Sequence, residues 1–204
     1  MLGKDIVALN CFITLFISRY VRTFVSIFTY ITCKPKPIHE KPRFSAQDTT
    51  VIIPTTFKAP GELIQCLRSI INCRPALVII VTSHENVELV RTCCSLNSFR
   101  QVRVVGVSQF HKRLQMMRGL EEVDTDVTVF ADDDVFWPPG YIDYLLAVFE
   151  DPAVGAGGTR QRARRRQDRI NCWNFLGISY LERRVWNNLC TNAIDGSLST
   201  LSGR

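Results

Sequence analysis

Between residues 49 and 131, short apolar β-branched runs alternate with segments whose apolar residues recur at helical spacing, and this alternation narrows the possible folds most. Thr49–Thr55 (TTVIIPT), Ala76–Thr82 (ALVIIVT), Gln101–Val107 (QVRVVGV) and Val127–Ala131 (VTVFA) read as strands. The first two are apolar almost throughout, as strands buried on both faces are. Gly61–Asn72 carries Leu63, Cys66, Leu67, Ile70 and Ile71 in helical phase, and Asn86–Ser95 follows as a second helix. Lys112–Val123 reads as a third, packed through Leu114, Met117, Leu120 and Val123. Strict strand–helix alternation predicts right-handed crossovers and a mostly parallel sheet, hence an α/β domain. Gly155–Thr159 reads as the end of a fifth strand and Ile170–Cys190 as a long helix. Core packing is the expected role of Trp173 and Phe175 in that helix.

The chain has 204 residues, enough for one such domain and few for two. Its net charge of +6 would suit a nucleic-acid binder if it were spread evenly. It is not. Residues 1–45 carry seven bases against Asp5 and Glu40, and residues 160–169 carry six arginines against Asp168, which leaves the remainder mildly acidic. No nucleic-acid partner is therefore expected. A module that binds nucleic acid through the arginine run alone is the alternative, and it predicts strongly salt-dependent binding. The run itself reads as a solvated face or as a contact with anionic lipid. The eight cysteines form no Cys-x-x-Cys pair and have no histidine spaced for zinc, so they read as reduced, buried thiols of a cytosolic protein.

From Ile6 to Thr32 the chain is aromatic and apolar, interrupted by Arg19 and Arg22. The unbroken runs, Phe12–Ile17 and Phe24–Tyr30, fall short of the roughly 20 residues a crossing helix needs. Thr14, Ser18, Arg22, Ser26 and Thr29 make one polar stripe, opposite Ile13, Phe16, Tyr20, Phe24, Ile27 and Ile31. That pattern suits a helix lying among lipid headgroups. A crossing helix whose arginines face other helices, and a soluble helix docked on its own domain, are the alternatives. A signal peptide is not expected, because the arginines break its apolar core. Lys34-Pro35-Lys36-Pro37 ends the helix. The expected organisation is a membrane-associated helix over 1–33, a basic Pro-rich linker over 34–46 and the α/β domain over 47–204.

Parallel sheets bind ligands outside the carboxyl ends of their strands. Neither GxGxxG after the first strand nor GxxxxGK[ST] occurs, which argues against a dinucleotide-dependent oxidoreductase and a P-loop NTPase. The fourth strand runs instead into Asp132-Asp133-Asp134. Adjacent carboxylates repel one another, and partial desolvation at a strand end adds to the cost. A divalent cation offsets both, and hard oxygen donors suit Mg²⁺ or Mn²⁺. In an extended segment Asp132 and Asp134 share one side, while Asp133 points away to a neighbouring ribose or a structural contact. A solvated acidic turn is the plain alternative. Lys112 and Arg113 open the third helix, where cations oppose the helix dipole. A diphosphate between them and the helix amides would reverse that penalty; two exposed bases are the other reading.

Val-Ile-Ile-Pro-Thr at 51–55, Lys112-Arg113 before Leu-Gln-Met-Met-Arg-Gly-Leu, Asp132–Asp134 and Ser202-Gly203 together resemble a family 2 glycosyltransferase. Their order is similar to that of processive polysaccharide synthases, such as hyaluronan, cellulose and chitin synthases, and especially their fungal capsule-type relatives. The resemblance covers residues 48–204. It implies a GT-A fold, Rossmann-like with helices flanking a mostly parallel sheet, that binds a UDP-sugar with Mg²⁺ or Mn²⁺. It further implies transfer of the sugar with inversion to a growing polysaccharide, by a membrane-associated protein whose catalytic domain faces the cytosol. By position, Pro54 and Thr55 would line the uridine, with Glu85 the candidate for the uracil contact. Lys112 and Arg113 would face the diphosphate. Asp132 and Asp134 would form the DxD pair on nucleotide and metal, with Asp133 beside the nucleotide sugar. Ser202 and Gly203 would fall at the acceptor side, where the synthases read Ser-Gly-Pro and this chain has Arg204. The family's later Glu-Asp motif, which supplies the general base, and its Gln-x-x-Arg-Trp motif have no counterpart here, so no catalytic residue is assigned and Asp195 is only a late acid. The expectation is the donor-binding half of a synthase. A catalytically inactive, membrane-bound nucleotide-sugar binder that partners a full synthase is the alternative. On Trp173 and Phe175, stacking against a sugar acceptor is the alternative to core packing.

Overall fold

The computed structural model describes residues 2–32, 36–109, 111–159, 162–163 and 171–195, with side chains described at all of these except 2–4, 22, 30 and 190–195. In chain order the elements are α1 (Leu2–Thr32), β1 (Thr49–Pro54), α2 (Pro60–Ile71), β2 (Leu77–Ser83), α3 (Val87–Leu96), β3 (Val102–Val107), α4 (Lys112–Leu120), β4 (Val127–Phe130), α5 (Tyr141–Leu146) and α6 (Cys172–Asp195). Two compact units result. One runs from Lys36 to Gly157, and the other joins the first 35 residues to the segment that starts at Gly158.

In the first unit all strand pairs are parallel and the order is β3-β2-β1-β4. This is the predicted α/β architecture, a parallel sheet flanked by helices. Val51, Ile53, Val78 and Ile80 point to one face, where Leu63, Cys66, Leu67 and Ile70 of α2, Val90 of α3 and Ile142 and Leu146 of α5 complete an apolar core. Ile52, Ile79, Val81 and Val107 point to the other face. There α4 meets the sheet through Gln115 and Gly119, both buried. This corrects the expected helix face: Leu114, Met117 and Leu120 are exposed, and of the four predicted residues only Val123 packs on this core. The reason lies at Gly119, where an added Cβ would stand 2.6 Å from Ile52 Cγ2. The helix approaches too closely for a larger side chain, so the smallest residue takes the contact rather than the leucines.

The expected fifth strand is absent: residues 154–159 are irregular. Gly155, Gly157 and Gly158 leave this stretch almost no side chain to pack, and glycine weakens a strand interior.

In the second unit α6 packs against α1. Asp5–Thr29 of α1 has a mean hydropathy of 1.4 and is long and apolar enough to cross a membrane. Its hydroxyls bond back to its own backbone: Thr14 donates to Asn10 O at 2.8 Å, Ser18 to Leu15 O at 2.9 Å and Thr29 to Val25 O. Such bonds remove the need for outside partners. Ser26 and Thr29 are buried while Phe12, Phe24 and Phe28 are exposed. The end of the polar stripe therefore faces protein, not headgroups. The expected core role of Trp173 and Phe175 is also overturned, since they are 80% and 62% exposed. Among the described residues of this unit no third layer covers the first turns of α6.

Candidate functional site

The site is built where β1 and β4 run out. Thr55 N donates to Val81 O at 2.9 Å and so extends the β1–β2 ladder past Pro54, both residues being buried. The chain then turns sharply, with Phe57 in the left-handed region at φ 57. Phe57 N donates to Thr55 Oγ1 at 3.0 Å, and that hydroxyl in turn donates to Asp133 Oδ2 at 2.5 Å. On the next strand Ala131 N donates to Ile52 O at 3.0 Å, beyond the end of β4 at Phe130. Asp133 and Asp134 lie in a turn. The side-to-side alternation expected of an extended triplet therefore does not apply.

Each carboxylate has its own surroundings. Asp132 Oδ1 accepts from Lys112 Nζ at 2.5 Å. Asp133 is held by Thr55. Asp134 forms no ion pair among the described residues; partial burial first, then the charges of Asp132 and Asp133, hold its carboxyl above the usual range. Beneath the triplet the Cys66 thiol lies 3.5 Å from Asp132 O, and burial, with the carboxylates adding to it, pushes it up to about 12. Such a thiol is a packing group and a poor metal ligand at neutral pH.

α4 delivers Lys112 to this edge. His111 caps the helix, its Nδ1 accepting from Arg113 N at 3.2 Å. The cation at the helix start, for which the sequence offers no local partner, is met by Asp132. Gln115, missed in the sequence reading, is 3% exposed and donates through Nε2 to Thr55 O at 3.1 Å and Val81 O at 2.9 Å. It bolts α4 to the ends of both central strands. The signal was the one uncharged polar side chain of this helix, on the same face as Gly119 four residues on.

The structure thus brings Thr55, Lys112, Asp132 and Asp133 together. Arg113 is exposed and its side chain joins none of them. Glu85 is exposed in a short 3₁₀ turn, His84–Asn86, directly after β2, at the same sheet edge but with no bond to the group. Ser202 and Gly203 lie outside the described residues. A broad depression of about 560 Å³ runs along the outer edge of β3, lined by Glu88, Arg91, Arg103, Arg118 and Glu122 among others. None of the expected site residues lines it, and its arginines are spent on the two glutamates.

Among the described residues no three His, Cys, Asp or Glu converge as a ready metal centre. The triplet supplies hard oxygens, and the Lys112 ammonium already stands at Asp132 as a cation would. This donor set fits an ion such as Mg²⁺, which takes one or two carboxylates and completes its shell with water and substrate phosphates.

A parallel sheet in the order β3-β2-β1-β4 has the layout of the doubly wound class, in which ligands bind at the carboxyl edge of the strands. Residues 46–204 match the model of the glycosyltransferase like family 2, and the chain belongs to that family. It is 42% identical over 199 residues to a type 2 glycosyltransferase of Gibberella zeae, covering 96% of this chain and 38% of the relative. A type 2 glycosyltransferase of Zymoseptoria tritici is 40% identical over 193 residues, 95% of this chain and 41% of its own length. The NDP-glycosyltransferase ltbB of Aspergillus luteorubrus is 31% identical over 129 residues, 60% of this chain and 31% of that protein. The chain spans about two-fifths of the first two relatives' length.

Proposed function

We propose that this chain is the donor-binding part of a membrane-associated family 2 glycosyltransferase that takes a sugar from a UDP-sugar and passes it, with inversion, to a growing polysaccharide. The observation that carries this reading is the gathering of Thr55, Lys112 and the Asp132–Asp134 turn at one sheet edge. Pro54 and Thr55 line the uridine in this reading, and Glu85, one strand over, reaches for uracil. Lys112 releases Asp132 and turns to the diphosphate, with Arg113 the second cation on the same helix end. Asp132 and Asp134 hold Mg²⁺ or Mn²⁺, while Asp133 keeps the β1 and β4 ends joined beside the nucleotide sugar. When bound, the cation supplies charge neutralisation for the departing diphosphate. The acceptor hydroxyl also needs a base placed against it, and no residue is assigned to that role. Ser202 and Gly203 are assigned to the acceptor side. The apolar α1 anchors the chain, with the sheet domain on the cytosolic side.

Calorimetry on the full chain in nanodiscs, titrated with UDP in the presence of Mn²⁺, tests the reading. Wild type should bind, and Asp134→Ala should lose at least about tenfold in affinity, equivalent to about 1.4 kcal/mol. Equal affinity in the two proteins would remove the metal assignment, and no heat in either would remove the donor assignment.

A further inference from the structure

Lys112 and Asp132 form the only ion pair that any aspartate of the acidic turn makes among the described residues. The two side chains are 33% and 32% exposed, so water screens the pair only in part. The backbone at both ends is fixed by bonds that do not involve the pair. Gln115 ties α4 to Thr55 O and Val81 O, His111 caps its first turn, and the Cys66 thiol donates to Asp132 O. The pair therefore parts by side-chain rotation alone, and lysine carries its charge on a flexible four-carbon stem. Around the ammonium the field is one-sided. Asp133 and Asp134 follow Asp132, and the charge of Glu62, in the first turn of α2, bears on Asp134. A cation at the start of α4 also opposes the helix dipole, so Lys112 needs an anion wherever it points.

We propose that Lys112 is the resident counter-cation of the acidic turn, and that its transfer from Asp132 to the donor's diphosphate makes metal and nucleotide binding interdependent. This rests on the donor-binding reading above and adds a coupling to it. To a divalent ion alone the turn offers a carboxylate already neutralised, beside an ammonium that repels the newcomer. A nucleoside diphosphate alone draws Lys112 away and then faces the uncovered carboxylates. With both present every charge finds a partner: Asp132 and Asp134 take the ion, and Lys112 takes phosphate. Each ligand thus raises the affinity for the other by the same factor, as linkage requires. A static ion pair, by contrast, is a bridge of small worth with no bearing on either ligand.

The full chain in nanodiscs is titrated with Mn²⁺ alone, read from the paramagnetic resonance of the free ion, and with UDP by calorimetry with and without Mn²⁺. In wild type, UDP should raise Mn²⁺ affinity at least about fivefold, the low end of typical coupling. Lys112→Met should bind Mn²⁺ alone at least about fivefold more tightly than wild type, bind UDP–Mn²⁺ more weakly and lose most of the coupling. Asp134→Ala added to Lys112→Met should abolish the gain, which places the ion at the turn. Lys112→Arg keeps the charge and should bind Mn²⁺ alone as weakly as wild type. Arg118→Gln removes a positive charge from the same helix, where it is spent on Glu121 and Glu122, and should leave Mn²⁺ affinity unchanged. Unchanged or weaker Mn²⁺ binding in Lys112→Met, coupling that persists in it, a gain that survives Asp134→Ala, or an equal gain in Lys112→Arg or Arg118→Gln would overturn the inference. Each of these leaves UDP–Mn²⁺ binding by wild type, and with it the donor reading, in place. Absence of that binding in wild type would remove both.

Discussion

The two faces of the sheet are packed in different ways. Towards α2, α3 and α5 the strands present Val51, Ile53, Val78 and Ile80 to a continuous apolar layer. Towards α4 the buried strand set is Ile52, Ile79, Val81 and Val107, and the helix answers with a glycine and a glutamine. The first face stores stability in interchangeable contacts, because hydrophobic burial has no direction. The second stores position: Gly119 fixes how near α4 lies, and Gln115 fixes where along the strands it stops. Lys112 is one turn from Gln115 and so inherits that placement.

The comparison breaks most visibly at Leu67, fully buried on the apolar face. Leu67→Ala should cost about 2–5 kcal/mol of stability in chemical denaturation. UDP–Mn²⁺ affinity of the folded protein should stay at the wild-type value, because Leu67 belongs to the apolar core and makes none of the hydrogen bonds that join Thr55, Lys112, Asp132 and Asp133. A parallel loss of binding would mean that the two faces are not separable.

Gly119→Ala probes the other face. The new methyl meets Ile52 Cγ2 at 2.6 Å and Val81 Cγ2 at 3.2 Å, and overpacking of this kind costs about 1–3 kcal/mol. Removing a helical glycine returns up to about 1 kcal/mol, so the net loss should be smaller than for Leu67→Ala. UDP–Mn²⁺ binding should nevertheless fall about tenfold or more, since α4 must lift and carry Lys112 and Gln115 with it. Unchanged affinity would refute the positional role of α4.

The same contrast explains what could be read in the sequence. TTVIIPT and ALVIIVT declared buried parallel strands because both faces of each are covered, and β1 and β2 run within a residue of those bounds. The acidic turn and the lysine were visible as charges at the ends of apolar elements. Their pairing was not, because Lys112 and Asp132 are twenty residues apart and only the crossover geometry joins them. The inward face of α4 departs from the apolar periodicity for a related reason. Periodicity finds the stripe with most leucine and methionine, whereas close helix–sheet approach selects glycine, and strand-end carbonyls select an amide. Aromatic residues usually find a core, and nothing in the residue pattern says that the described residues of the unit around Trp173 and Phe175 form two helices.

The smallest expected effect lies at the rim of the apolar face. Thr82 is fully buried, and its Oγ1 has no hydrogen-bond partner among the described residues. By strand alternation it belongs with Val78 and Ile80, as the last side chain of that face before the edge. An unpaired buried hydroxyl costs about 1–3 kcal/mol, and part of that is recovered when a methyl of the same shape replaces it. Thr82→Val should therefore raise the unfolding free energy by about 1 kcal/mol, read from the denaturation midpoint at unchanged slope. The Thr55–Val81 and Gln115–Val81 hydrogen bonds use the backbone carbonyl next door, so the substitution leaves the bolt on α4 intact. UDP–Mn²⁺ affinity should be unaltered if the apolar face contributes packing alone. A stabilised variant that binds UDP more weakly would show that this face too keeps one polar group for the ligand, and the division of labour between the two faces would have to be redrawn at β2.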